Sequence, residues 1–203
     1  MQAQQAQTLS GGFDNLPVQS AHAFRAVMEA MARPGQIQEI AGAAPPAPLS
    51  VAAGSVLLTL CDGETPIYLA GNVDTDEVRA WLSFHTGAPM VGPSHAMFAL
   101  GAWDALMPLS AYPIGTSEYP DRSATLIVEA ETLTASGAVL RGPGIKSETT
   151  LSLPEVEAFQ SNRRLFPLGL DFIFTCGDRL AALPRSSEVS RSSSEAVAQQ
   201  GVL

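Results

Sequence analysis

Apolar positions along this chain fall into alternating blocks of helical and strand period. Phe24, Val27, Met28 and Met31 recur at helical spacing after Gly11-Gly12-Phe13-Asp14-Asn15-Leu16-Pro17, and predict a first helix with a core-facing stripe. Arg33 before Pro34-Gly35 ends it, because a residue preceding proline is pushed out of the α region. Gln36 to Ile40 alternates as a short strand, and Ala41 to Pro48 is an Ala, Gly and Pro loop. Val51 to Leu60 is apolar nearly all round, the mark of a helix sandwiched between elements or placed at a subunit interface. Ile67 to Ala70 reads as a strand. The next helix is capped by Asp74 or Thr75, carries Asp76 and Glu77 at the positive end of its dipole, and buries Val78, Trp81, Leu82 and His85 before Gly87.

In the second half, Met97 to Leu100 predicts a strand, Ala102 to Leu106 a short helix and Tyr112 to Arg122 a loop with Pro113, Gly115 and Pro120. Ala124 to Ala130 is filled with apolar and β-branched residues, as in a sheet centre covered on both faces. Ala138 to Leu140 and Thr150 to Leu153 are further strands, and Pro154 opens a helix bearing Val156, Phe159 and Leu165. Leu170 to Thr175 and Arg179 to Leu183 then form a β-hairpin around Gly177-Asp178, entered through Pro167 and Gly169 and closed by Pro184. Asp171 stands where that apolar strand begins, so it either faces solvent at the strand mouth or is buried and paired. Strands and helices interleave, which predicts an α/β fold, a mixed β-sheet flanked by helices. The expected layout is a loose N-terminus over 1–10, one domain over 11–186, and a serine-rich flexible tail over 187–203.

Composition narrows the function. The chain has 203 residues, 46% of them hydrophobic, enough for one domain that buries its core without metal or disulfide staples. A net charge of -9, with Lys146 the single lysine, argues against nucleic-acid or anionic-membrane surfaces, which need clustered cations. Neither a signal peptide nor an apolar run of membrane-spanning length occurs, so a soluble, cytoplasmic protein is expected. Cys61 and Cys176 read as free thiols.

Candidate chemistry is sparse. Lys146 is the one residue able to hold pyridoxal phosphate as a Schiff base, and Gly142-Pro143-Gly144 before it would let backbone approach a phosphate or simply turn the chain. His22, His85 and His95 have no metal-ligand spacing, so no metal is expected, and no nucleophile or Walker-type motif occurs. Arg141, Arg163 and Arg185, with Arg164 and Arg179 nearby in sequence, are candidates for anion recognition or for ion pairs within an acidic protein.

The punctuation of the chain resembles one family. Gly12-Phe13, Phe24-Arg25, Pro34-Gly35, Asp62 with Glu64-Thr65, Ala124-Thr125 after Pro120, Gly142-Pro143-Gly144-Ile145, Phe166-Pro167-Leu168-Gly169-Leu170-Asp171 and Leu183-Pro184-Arg185 are similar in order and spacing to the H subunit of the bacterial carbon-phosphorus lyase core complex. The series covers residues 11 to 186; Ser186 departs from it, standing where the family often has threonine. The resemblance implies a three-layer sandwich like the large domain of pyridoxal-phosphate-dependent transferases, used without a cofactor, in a homodimer or beside other core subunits. It also implies a required, assembly-type part in replacing the adenine of a nucleoside triphosphate by a phosphonate, with no catalytic residue to carry over. Gly142, Gly144, Gly169 and Asp171 then count as structural positions, with Asp171 expected to accept hydrogen bonds from the turn or to pair with an arginine such as Arg185. Two other readings stay open: a pyridoxal-dependent transferase using Lys146, and a phosphonate- or nucleotide-binding module using Arg141 or Arg163.

Overall fold

A computed structural model of the chain describes residues 10–192. Its elements in chain order are α1 (Leu16–Ala32), β1 (Gln38–Glu39), α2 (Val51–Leu60), β2 (Ile67–Leu69), α3 (Asp76–His85), β3 (Phe98–Gly101), α4 (Trp103–Leu106), β4 (Thr125–Glu129), β5 (Ala138–Arg141), β6 (Thr149–Leu151), α5 (Val156–Arg163), β7 (Asp171–Cys176), β8 (Arg179–Leu183) and β9 (Glu188–Ser190). Six strands form one sheet in the order β1-β8-β7-β4-β3-β2. Neighbours among β2, β3, β4 and β7 run parallel, while β8 pairs antiparallel with both β7 and β1, so the sheet is mixed.

The hairpin closes as its residues dictate. Cys176 pairs with Arg179 across a two-residue loop, and Gly177 takes φ +61° at the first loop position, which the tight hairpin turn demands. Period-two alternation then sends Ile127 and Ile173 to one face and Leu126, Val128, Phe172 and Phe174 to the other. Both sets are buried. The first face packs under α1, α2 and α3 through Val27, Ala30, Leu57, Val78, Trp81 and Leu82. The second is covered by α4 and α5 and by a small sheet of order β6-β5-β9, with Phe159 meeting Phe172 edge-on at a centroid distance of 5.0 Å.

Helix ends follow their caps. Ser50 Oγ accepts from Ala53 N at the start of α2, and Thr75 Oγ1 from Val78 N at the start of α3, while Asp74 turns aside to pair with Arg79. Residues 52–57 of α2 are buried, which places this apolar helix inside the domain rather than at its surface.

Three expectations need correction. The core-facing side of α1 is Ala23, Val27 and Ala30; Phe24 is 50% and Met28 51% exposed, because the apolar arc is wider than the sheet can cover. The strands at 138 and 150 leave the main sheet and build the second one. The tail expected to be flexible from 187 contains β9, which pairs with β5, and Ser187 and Val189 are buried; the remainder, 193–203, lies outside the described residues. At the other end, residues 1–9 also lie outside them, while Ser10 O accepts a hydrogen bond from Trp81 Nε1 at 3.1 Å.

Gly144 shows how the turn that follows β5 meets the first helix. It sits at φ +81°, and a Cβ there would lie 2.0 Å from the carbonyl oxygen of Ala32 at the end of α1. The turn at 142–145 is thus pressed against the first helix, a contact that only glycine permits. Gly142, at φ +133°, faces the Ser186 carbonyl less closely, a Cβ there lying 3.2 Å from its oxygen.

Candidate functional site

The amino ends of β4 and β7 are tied by one partly buried ion pair. Asp171 Oδ1 accepts from the backbone N of Arg185 at 2.8 Å, and Oδ2 accepts from Arg185 Nη2 at 2.5 Å; the two side chains are 17% and 13% exposed. Arg185 Nη1 donates to the Pro120 carbonyl at 2.7 Å, and Nη2 also donates to Ser123 Oγ. The guanidinium fork is therefore engaged by its own protein. Upstream, Asn162 is buried and bonds both the N and the O of Leu170, each at 2.8 Å, while Gly169 takes φ +118° against its side chain.

The other sequence candidates do not converge. Arg141 pairs with Glu148 at 2.5 Å on an exposed surface, an interaction worth about 0–1 kcal/mol. Arg163 lies over the Phe166 ring at 4.7 Å and approaches Glu188 at 3.9 Å, and its Nε is buried without a hydrogen-bond partner among the described residues. Lys146 is exposed on the loop before β6.

At the carboxyl ends of the parallel strands, where open α/β sheets place their ligands, the structure has a cleft of about 380 Å³. Trp103 and Asp104 of α4, Glu129 at the end of β4 with residues 130–132 after it, Ser152 to Pro154 and Phe174 line it. Its charged groups are Asp104, Glu129 and Glu131, and no lysine or arginine is among the lining residues. A pyridoxal phosphate group does not fit this chemistry. It needs an amine at the cleft and donors around its phosphate, whereas Lys146 lies elsewhere and the carboxylates repel the anion.

Glu129 is the residue that sequence reasoning missed. Its Oε1 accepts from Ser50 N, at the cap of α2, at 2.7 Å, and its Oε2 accepts from Thr175 Oγ1 at 3.1 Å. Burial raises its pKa, and the hydrogen bonds from Ser50 and Thr175 offset this in part. The available signal was an acid closing the apolar run Leu126-Ile127-Val128, as Asp171 opens another. Burial likewise pushes the Cys61 thiol up to about 12, which leaves it unreactive.

A second cavity, about 560 Å³, lies between the 107–114 segment and α5, lined mainly by apolar side chains including Met107, Leu109, Tyr112, Ile114, Leu165 and Leu170. Among the described residues, no helix is long and apolar enough to cross a membrane.

Fold and site together define an α/β domain with a mixed sheet, an anion-repelling cleft at the strand ends and an apolar groove beside α5 on the same face of the sheet. The chain belongs to the family of bacterial phosphonate metabolism proteins called PhnH, whose profile matches residues 11–190. It is similar to the alpha-D-ribose 1-methylphosphonate 5-triphosphate synthase subunit PhnH of Rhizobium meliloti (strain 1021), with 39% identity over 92% of this chain and 98% of that protein. A second relative, from Stutzerimonas stutzeri and named "Putative C-P lyase subunit protein HtxG", is 28% identical over 83% of this chain and 84% of its own length. These matches bear out the resemblance drawn from the motif series.

Two outcomes are expected. Arg185→Ala leaves Asp171 without its partner at a partly buried position, and should lower unfolding stability by about 2 kcal/mol in urea titration; an unchanged midpoint would show the pair to be idle. Glu129 has a folded-state pKa above its unfolded value, so the native state binds more protons and the group's contribution to stability is lost as pH rises through that window. Glu129→Gln keeps an acceptor for Ser50 N, and its stability relative to wild type should rise with pH above the ordinary carboxyl value of 4.5. Parallel stability curves for the two proteins would contradict this.

Proposed function

We propose that this chain is an assembly subunit of the carbon-phosphorus lyase core complex in organic phosphonate catabolism, required with partner subunits for exchanging the adenine of a nucleoside triphosphate for a phosphonate. The observation that carries this reading is the family match over 11–190, together with a relative whose printed name is that of a synthase subunit. That name describes a ribose bearing both a phosphonate and a triphosphate. A site that makes such a polyanion needs several convergent cations. Here the strand-end cleft presents Asp104, Glu129 and Glu131, while Arg185 is enclosed in its own ion pair. The distribution of charge favours a chain that holds other subunits in place while they supply the reacting groups.

The same reading includes a cytoplasmic location, a sheet of the kind used by the large domain of pyridoxal-phosphate-dependent transferases, and a homodimer when the chain is isolated. The surface suited to the homodimer is the side of α1 bearing Ala21, Phe24 and Met28, which are exposed at helical spacing beside the buried stripe. The binding-module alternative would require Arg141 or Arg163 to leave Glu148 or Phe166.

Deletion of the gene should abolish growth on methylphosphonate as sole phosphorus source and leave growth on phosphate intact, and Lys146→Ala should restore the first. Failure of Lys146→Ala to restore growth would favour the pyridoxal reading; growth of the deletion strain on methylphosphonate would remove the chain from the pathway. Separately, light scattering of the isolated chain should give a dimer, and Phe24→Asp a monomer with an unchanged melting temperature. A wild-type monomer, or a dimer in the variant, would reject α1 as the self-contact.

A further inference from the structure

We propose that the apolar groove between the 107–114 segment and α5 docks a different subunit of the same complex, through a segment that is apolar on its buried side and basic at the end that meets Glu155 and Glu157. This rests on the assembly reading above. Three features of the groove support it.

First, the surface is apolar yet uncovered. Met107 is 39% and Leu165 45% exposed, and they flank a floor made by the buried Tyr112 and Leu170. Exposed apolar side chains scattered singly call for no explanation, but here they converge on one concavity, which marks an interaction site. Second, the groove is preformed. Asn162 fixes Leu170 through both backbone groups, Gly169 N donates to Ile114 O at 3.0 Å, and Ala124 N donates to Pro113 O at 2.8 Å. The floor and the far wall are therefore anchored to β4 and to the start of β7, and a partner would bind without first ordering them.

Third, the rim has a defined charge pattern. Glu155 and Glu157 stand at the amino end of α5, with Glu155 accepting from Trp103 Nε1 at 3.3 Å and Glu157 held by Arg191. At the other end, Arg164 Nη2 donates to Ser161 Oγ at 2.7 Å. Neither Lys nor Arg is among the residues lining the groove itself. An apolar segment with a basic residue at the Glu155 end and none at the Arg164 end complements this wall. Such complementarity sets orientation and register more than raw affinity. The relatives are named as subunits, and the self-contact proposed above uses α1 on the opposite layer, which leaves this groove for a dissimilar chain.

The test is co-expression of the full-length chain with the other subunits of its complex, followed by affinity purification on a tag carried by one of them. Leu165→Glu and Met107→Glu replace exposed side chains, so circular dichroism should show melting temperatures close to wild type. Each should reduce the amount of this chain recovered in the complex by about tenfold or more, and Glu155→Lys should reduce it in a salt-dependent way. Phe24→Asp should leave hetero-assembly in place. Variants recovered like wild type would overturn the groove proposal and leave the assembly reading standing, whereas a wild-type chain that is not recovered would overturn both. If Leu165→Glu turns the isolated dimer into a monomer, the groove is a self-contact and the proposal fails. It also fails if truncation after Ser192 removes hydrogen-exchange protection from residues 107–114, because the chain's own C-terminus would then be the occupant.

Discussion

The pairing of Asp171 with Arg185 is the constraint on which the architecture turns. An acid at the head of an apolar strand is tolerable only if its charge is answered, and here the answer comes from the residue pair that ends the same hairpin. One guanidinium thereby fixes four chain segments: the start of β7, the exit from β8, the Pro120 carbonyl and the Ser123 hydroxyl just before β4. A partly buried ion pair of this kind is weak evidence for net stability, since the desolvation of both charges opposes their attraction. Its effect is on register. Asp171 stands beside Thr125 in the parallel ladder, so holding it in place also sets how β7 aligns with β4 across the sheet centre.

The two ends of that sheet consequently differ in character. The amino ends of β4 and β7 are locked and electrostatically closed, and their fixed backbone extends through Leu170 and Asn162 into the floor of the apolar groove. The carboxyl ends open into a cleft whose charged groups are acidic, with Glu129 binding the cap of α2 on one side and Thr175 on the other. The fold keeps the customary position of an α/β ligand site but fills it with groups of the wrong sign for phosphate.

Much of this was legible in the sequence because it depends on local rules. Gly177-Asp178 specified the hairpin turn, the run from Leu126 to Val128 specified a doubly covered strand, and Asp171 in an apolar segment called for a partner. What stayed hidden depends on distance. Phe24 and Met28 share helical spacing with Val27, and periodicity alone does not say which part of a broad apolar arc the sheet will reach. The strands at 138 and 149 have ordinary strand patterns, yet nothing local says that their neighbour is Val189, embedded in a serine-rich stretch whose composition suggests disorder. Glu129 escaped because an acid at a strand end is most often solvated, and its two hydrogen-bond partners lie 79 and 46 residues away.

The motif series that marks the family is explained by the same geometry. Pro120, Asp171 and Arg185 meet in the clamp, and Gly169 makes room for Asn162 beside it. Gly144 receives the end of α1 next to Pro34, and Gly142 receives the backbone that follows Pro184-Arg185. These residues are spread over the chain but do structural work at two junctions, between strands at the clamp and between layers at the 142–145 turn. None of these contacts requires a ligand.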